Sequence, residues 1–117
     1  MSRVRTSIPA NTPAPIGPYS HISTVGQFIT IGGTAGFDPA SGQLVGPDAY
    51  SQAKRILESF KVMLESVDSD LQHVVHINVF LLRMADFAEM NRAYVEMMES
   101  TGRRAPPLAS TSFPGPA

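Results

Sequence analysis

The chain has 117 residues, nine Lys+Arg against ten Asp+Glu, a formal charge of -1, 43% apolar residues, ten prolines and no cysteine. That length holds one core rather than two domains, and a charge near zero supplies no field to draw in phosphate backbones or anionic lipid, so nucleic acid is not an expected partner. The missing thiol excludes a disulfide framework, a thiolate nucleophile and any cysteine-bearing zinc or iron-sulfur site. No apolar run reaches the roughly 18 residues of a bilayer span, and the N-terminus lacks the apolar stretch of a signal peptide; a cytoplasmic protein with no membrane partner is expected.

Residues 9–18, PANTPAPIGP, carry four prolines, which remove backbone donors and forbid helix, so an extended arm is predicted. Ser20 to Val25 reads as a weak strand, Val25-Gly26-Gln27 as a hairpin turn, and Gln27 to Ile31 as a strand that stops at Gly32-Gly33. Residues 36–48 hold three glycines and two prolines and form a loop. From Asp48 to Asp68 the apolar residues Ile56, Leu57, Phe60, Met63, Leu64 and Val67 recur at helical steps, with Asp48 as the N-cap.

Val74 to Leu82 alternates as a strand does. One side takes Val75, Ile77, Val79 and Leu81; the other takes Val74, His76, Asn78, Phe80 and Leu82. A second helix follows Asp86, which with Glu89 has the spacing of a capping box; Phe87, Met90, Tyr94, Met97 and Met98 make its apolar face and Gly102 its stop. Leu108 to Phe113 is a last short strand. Strands followed by helix, strand, helix and strand argue for one α+β domain over residues 1–117, a two-layer sandwich with a mixed sheet and two helices on one face. The face bearing Phe80 and Leu82 is too apolar to leave in water, which points to subunit association.

Candidate chemistry is sparse. His73 and His76 stand three apart at a helix-to-strand junction and would face opposite sides of a sheet, so no metal site is read there, and His76 is a polar residue of the sheet face. Gly32-Gly33-Thr34-Ala35-Gly36 follows a strand but precedes a proline-bearing loop rather than a helix; it is a turn requiring positive φ, not a phosphate cradle. Asn91 lies on the apolar face of the second helix, where a buried amide must find partners: it either braces a loop or meets a substrate.

The arm Ala14-Pro-Ile-Gly-Pro-Tyr19-Ser20, the segment Phe28 to Gly33, the helix Gln52 to Val67, the strand Val75 to Leu82 and Phe87-Ala-Glu-Met-Asn91-Arg-Ala-Tyr94 together resemble the RidA (YjgF/YER057c/UK114) family over nearly the whole chain. The resemblance implies a chorismate-mutase-like subunit that forms a homotrimer around a β-barrel core. It also implies three small-molecule pockets between subunits that hydrolyse 2-imino or 2-enamino acids to 2-keto acids and ammonia, with no metal or organic cofactor. In the family an arginine fork holds the substrate carboxylate, a glutamate of the final strand holds the water, and the arm tyrosine and glycine loop complete the pocket. Carried over, these are Tyr19 for the arm, Gly32, Gly33 and Thr34 for the loop, and Asn91 for the helix.

The family's P-A-R-[ST] segment falls on Pro106-Pro107-Leu108-Ala109-Ser110, so Leu108 and Ser110 enter the pocket and Leu108 stands at the arginine position. An isobutyl group cannot bind a carboxylate. Arg103 and Arg104 lie upstream of it, and the last strand with its glutamate is expected beyond Ala117, which leaves the catalytic residues unassigned. The leading expectation is a trimer with 2-imino acid deamination altered or lost. The alternatives are imine hydrolysis with Arg103, Arg104 or Arg92 as anion binder, a non-catalytic small-ligand binder, and an RNA-directed translation inhibitor or endoribonuclease. The charge balance weighs against the last.

Overall fold

The computed structural model describes residues 3–15 and 20–102 together with the backbone of residues 108–112. In chain order the elements are β1 (Arg5–Ser7), β2 (Ile22–Val25), β3 (Phe28–Ile31), α1 (Ala49–Glu65), β4 (Ile77–Leu81), α2 (Phe87–Glu99) and β5 (Leu108–Ser112). Short 3-10 turns occupy Leu71–His73 and Met84–Asp86. The expected α+β class holds. Its mixed pairing is divided between two ladders: an antiparallel sheet in the order β1-β2-β3, and a parallel pair in which Ile77 to Leu81 run beside Leu108 to Ser112.

β1 is an element that the sequence pattern does not announce, because Arg5-Thr6-Ser7 has no apolar alternation. Its order comes from backbone pairing alone, Arg5 opposite Thr24 and Ser7 opposite Ile22. Gly26, at φ 56, supplies the left-handed residue of the β2-β3 hairpin. The arm is not extended throughout. It turns at Ala10-Asn11, where Asn11 takes φ 63 and the Thr12 hydroxyl donates to the Pro9 carbonyl at 2.7 Å, a conformation that asparagine tolerates better than most residues.

Asp48 caps α1 as the sequence predicts, its carboxylate accepting from the Ser51 amide at 2.8 Å. The helix closes through Asp68 at φ 63, with the Ser69 amide donating to the Leu64 carbonyl at 2.9 Å. Leu57, Ser59, Met63 and Leu64 form its buried stripe. β4 is shorter than its alternating stretch, because the Leu71–His73 turn, capped by Asp70, precedes it. Leu81 is buried, and Ile77 and Val79 pack on the core, whereas Val75 is 82% exposed and is not part of that face.

The predicted capping box at Asp86 and Glu89 does not form. Asp86 already has helical backbone angles, because the Met84–Asp86 turn runs directly into α2, and its side chain bonds no helix amide. Its carboxylate lies 3.6 Å from the Arg83 guanidinium instead. Phe87 is more exposed than its place on the apolar face suggests, and Met90, Tyr94 and Met98 carry the contact. The stop is as read: Gly102 has φ 84 and donates to the Glu99 carbonyl at 2.9 Å.

The core joins both helices to β4 through Leu57, Leu64, Leu71, Leu81, Met90, Tyr94 and Met98, with Ile29 and Ile31 of β3 against it. Among the described residues no helix is long and apolar enough to cross a membrane.

Candidate functional site

The ladder between β2 and β3 extends one step past the strands, the Gly32 amide donating to the His21 carbonyl at 3.0 Å. The chain then peels away through Gly33, Thr34 and Ala35, and the Thr34 hydroxyl folds back to donate to the Gly32 carbonyl at 3.0 Å. Contrary to the sequence reading, neither Gly32 nor Gly33 has the left-handed backbone; among the described residues the glycines that do are Gly26, Gly42 and Gly102. Nothing lies within 4 Å of where a Cβ of Gly33 would stand. Gly33 thus stands in open space rather than in a turn that requires positive φ. Gly36 is the position closed to a side chain, since its Cβ would fall 2.8 Å from the Cα of Gln52 on α1.

Opposite this loop stands the arm, held by the imidazole of His21. His21 is 6% exposed, and its Nε2 lies 2.5 Å from the Pro13 carbonyl oxygen. A carbonyl only accepts, so Nε2 carries the proton and donates. Between arm and loop is a cleft of about 300 Å³ lined by Pro13, Ala14, Pro15, His21, Gly33, Thr34, Ala35 and Phe37. Among the described residues its walls are apolar and its polar side chains are one imidazole and one hydroxyl, a set that suits a small molecule with one or two polar groups.

The structure therefore brings the arm together with Gly33 and Thr34, and Gly32 stands directly behind them in the ladder. Asn91 is half-buried on α2 and does not line this cleft. Leu108 and Ser110 lie in β5 beside Ile77 and Val79. The side chains of Leu108 and Ser110, and Tyr19, Arg103 and Arg104 altogether, fall outside the described residues. Arg92 is stacked on the Tyr50 ring at 3.8 Å on the face joining the two helices, and the Tyr50 hydroxyl donates to Glu96. His73 pairs with Asp70 at 2.8 Å, and His76 is exposed with its Nε2 3.0 Å from the Asn78 Oδ1.

The residue that pattern reading passed over is His21. Its one signal was position, directly after the Tyr19-Ser20 end of the arm and one step before a buried isoleucine. The carboxyls held below the ordinary range are elsewhere: Asp48 through the amide of Ser51, and Asp70 through its bond with His73.

A two-layer α+β subunit in which a proline arm closes over a glycine-bearing loop belongs to a class with many solved members. The YjgF gene product from E. coli superposes with a TM-score of 0.87 at 26% identity, over 93% of this chain and 85% of that one. The model of the family described as Endoribonuclease L-PSP matches residues 9–111. A RutC family protein from Pyrococcus abyssi is 43% identical over 84 residues, 72% of this chain and 66% of its own. A 2-iminobutanoate/2-iminopropanoate deaminase from Capra hircus is 38% identical over 92 residues, 79% of this chain and 67% of its own. The chain thus spans about two thirds of the length of these curated relatives. It belongs to the Endoribonuclease L-PSP family, the RidA/YjgF family of the sequence reading.

Proposed function

We propose that the chain forms a homotrimer whose clefts, completed at subunit boundaries, hydrolyse small imines or enamines to a carbonyl compound and ammonia. 2-Imino acids are poorer substrates here than for the relatives named as deaminases. The cleft between the arm and the Gly33-Thr34 loop supports this reading: Gly33 and Thr34, two of the residues that resemble the family's pocket, line a space of small-molecule size there. Tyr19, Asn91, Leu108 and Ser110 are assigned to the completed pocket, and no metal or organic cofactor enters the reaction. Subunit association is supported by the exposed apolar residues of the two ladders and of the residue just past β4: Phe28 is 76%, Phe80 63% and Leu82 62% exposed in the single chain.

The reduced preference for 2-imino acids follows from Leu108. A hydrogen bond to a charged group is worth about 1.5–3 kcal/mol, and a bidentate arginine supplies two. Without them kcat/KM for an anionic imine falls by roughly 100-fold or more, while an imine with no carboxylate loses nothing.

The test generates 2-iminobutanoate in situ with an amino-acid oxidase, and an uncharged aldimine from a primary amine with a flavin amine oxidase, following semicarbazone-trapped imine while light scattering gives the mass. A trimer that accelerates loss of the aldimine and acts far less on 2-iminobutanoate is expected. Equal efficiency on the anion would overturn the role given to Leu108. No acceleration of either imine, with a small molecule still bound, would make the protein a ligand binder.

A further inference from the structure

Hydrolysis of an imine moves protons at every step, yet the described lining of the cleft holds a single side chain, the His21 imidazole, with one nitrogen to donate a proton and another to accept one. Pro13, Ala14, Pro15, Gly33, Thr34, Ala35 and Phe37, which face His21 from the arm and from the loop after β3, carry no charge and no carboxyl, amine or second imidazole. The His21 ring is also oriented, since Nε2–H donates to the Pro13 carbonyl at 2.5 Å and the His21 carbonyl is pinned by the Gly32 amide at 3.0 Å. That bond fixes the tautomer. With the proton on Nε2, the neutral ring keeps the lone pair of Nδ1, the arrangement in which a base is held by a third group.

We infer that His21 is the catalytic base of this cleft, its tautomer set by the Pro13 carbonyl and its Nδ1 shuttling protons between water and the imine nitrogen. The inference rests on the hydrolase reading and names the residue that performs it. Nδ1 takes a proton from water as the oxygen-carbon bond forms and the C=N π pair moves onto nitrogen, and the imidazolium then delivers that proton to nitrogen. In the resulting carbinolamine Nδ1 takes the hydroxyl proton as the carbonyl forms. The carbon-nitrogen bond breaks with its electron pair on nitrogen, the imidazolium protonates it, and ammonia leaves with the ring restored. Water and imine become carbonyl compound and ammonia, with nothing else consumed. The tether gives His21 a second duty, because the group that moves the proton also holds the arm that shapes the cleft.

Two variants separate these duties. His21→Gln retains an N–H that can donate to Pro13 but has no titratable nitrogen, and His21→Ala loses both. With the uncharged aldimine as probe, His21→Gln is expected to lower kcat by about 100-fold or more with KM little changed, the usual range for a lost acid-base group. The limb of the wild-type pH profile on which activity rises as imidazole deprotonates should vanish with it. Added imidazole should restore part of the rate in His21→Ala. Wild-type kcat in His21→Gln, or His21→Ala that stays folded and gains nothing from imidazole, overturns the assignment while the hydrolase reading stands. Wild-type protein that accelerates no imine removes both.

Discussion

The core between the helices and β4 and the cleft between the arm and the glycine loop are built by different means. The core rests on repetition: Leu57 and Leu64 from α1, Met90, Tyr94 and Met98 from α2, and Leu81 from β4 interlock, so each residue is held by several others. The cleft rests on single bonds: the His21 imidazole to the Pro13 carbonyl, the Gly32 amide to the His21 carbonyl and the Thr34 hydroxyl to the Gly32 carbonyl. Losing one core residue therefore leaves a void that its neighbours only partly fill, whereas losing one cleft bond frees a segment. The first costs stability; the second costs shape at little expense to the fold.

The sharpest way to break this comparison is to truncate the core. Leu81 is 8% exposed at the end of β4, and Leu81→Ala should lower unfolding stability by about 3 kcal/mol, through lost burial and the cavity left behind. Urea denaturation with an unchanged slope is the measurement. A cost comparable with that of His21→Ala, which loses the bond to Pro13, would show that the two regions share their stability and that the contrast is false.

Gly36 is where the two regions meet, since it carries the chain from the cleft loop against α1. A Cβ there would stand 2.8 Å from the Gln52 Cα and 2.9 Å from its carbonyl oxygen, both backbone atoms of a helix that cannot yield cheaply. Gly36→Ala should cost about 1–3 kcal/mol, the range for overpacking. The same change at Gly33, which has open space around it, should leave stability nearly unchanged and alter only what the cleft admits. Thermal melts of the two variants compare them directly.

What the sequence disclosed follows the same division. Periodicity is a many-residue signal, so α1, β4 and α2 and their inward faces could be read from spacing, as could the stop at Gly102, where helix end and glycine coincide. β1 could not, because Arg5-Thr6-Ser7 is ordered by its neighbour's backbone rather than by its own side chains. Val75 misled because alternation continues past the end of the ladder, into residues that no partner strand constrains. At the site, a family resemblance picked out Gly33 and Thr34, which do line the cleft. His21 went unread because its partner, the Pro13 carbonyl, is a backbone group eight residues away that no side-chain pattern encodes. The glycine pair suggests a turn of positive φ, whereas Gly32 continues the ladder to His21 and Gly33 stands in open space, neither with a left-handed backbone.

The two helix N-termini offer the smallest and most discriminating comparison, because each begins with an aspartate and only one of them caps. Asp48 has extended backbone angles and accepts from the Ser51 amide at 2.8 Å, a bond that draws its carboxyl below the ordinary carboxylate range. A group whose folded pKa lies below its unfolded value, about 3.9 for aspartate, stabilises the fold fully above that value. The contribution disappears as pH falls through the lower, folded value. Asp48→Ala should therefore lower the melting temperature at pH 7, and the gap to wild type should close as the solution is acidified through the range in which Asp48 itself takes up a proton. Asp86 has helical angles, bonds no helix amide and faces only the exposed Arg83 at 3.6 Å. Asp86→Ala should change stability at pH 7 by no more than about 0.5 kcal/mol, as an exposed i, i+3 pair does. If Asp86→Ala instead proves as damaging at pH 7 as Asp48→Ala, the capping box that its sequence spells forms in solution, and the start of α2 is built as its residues first suggested.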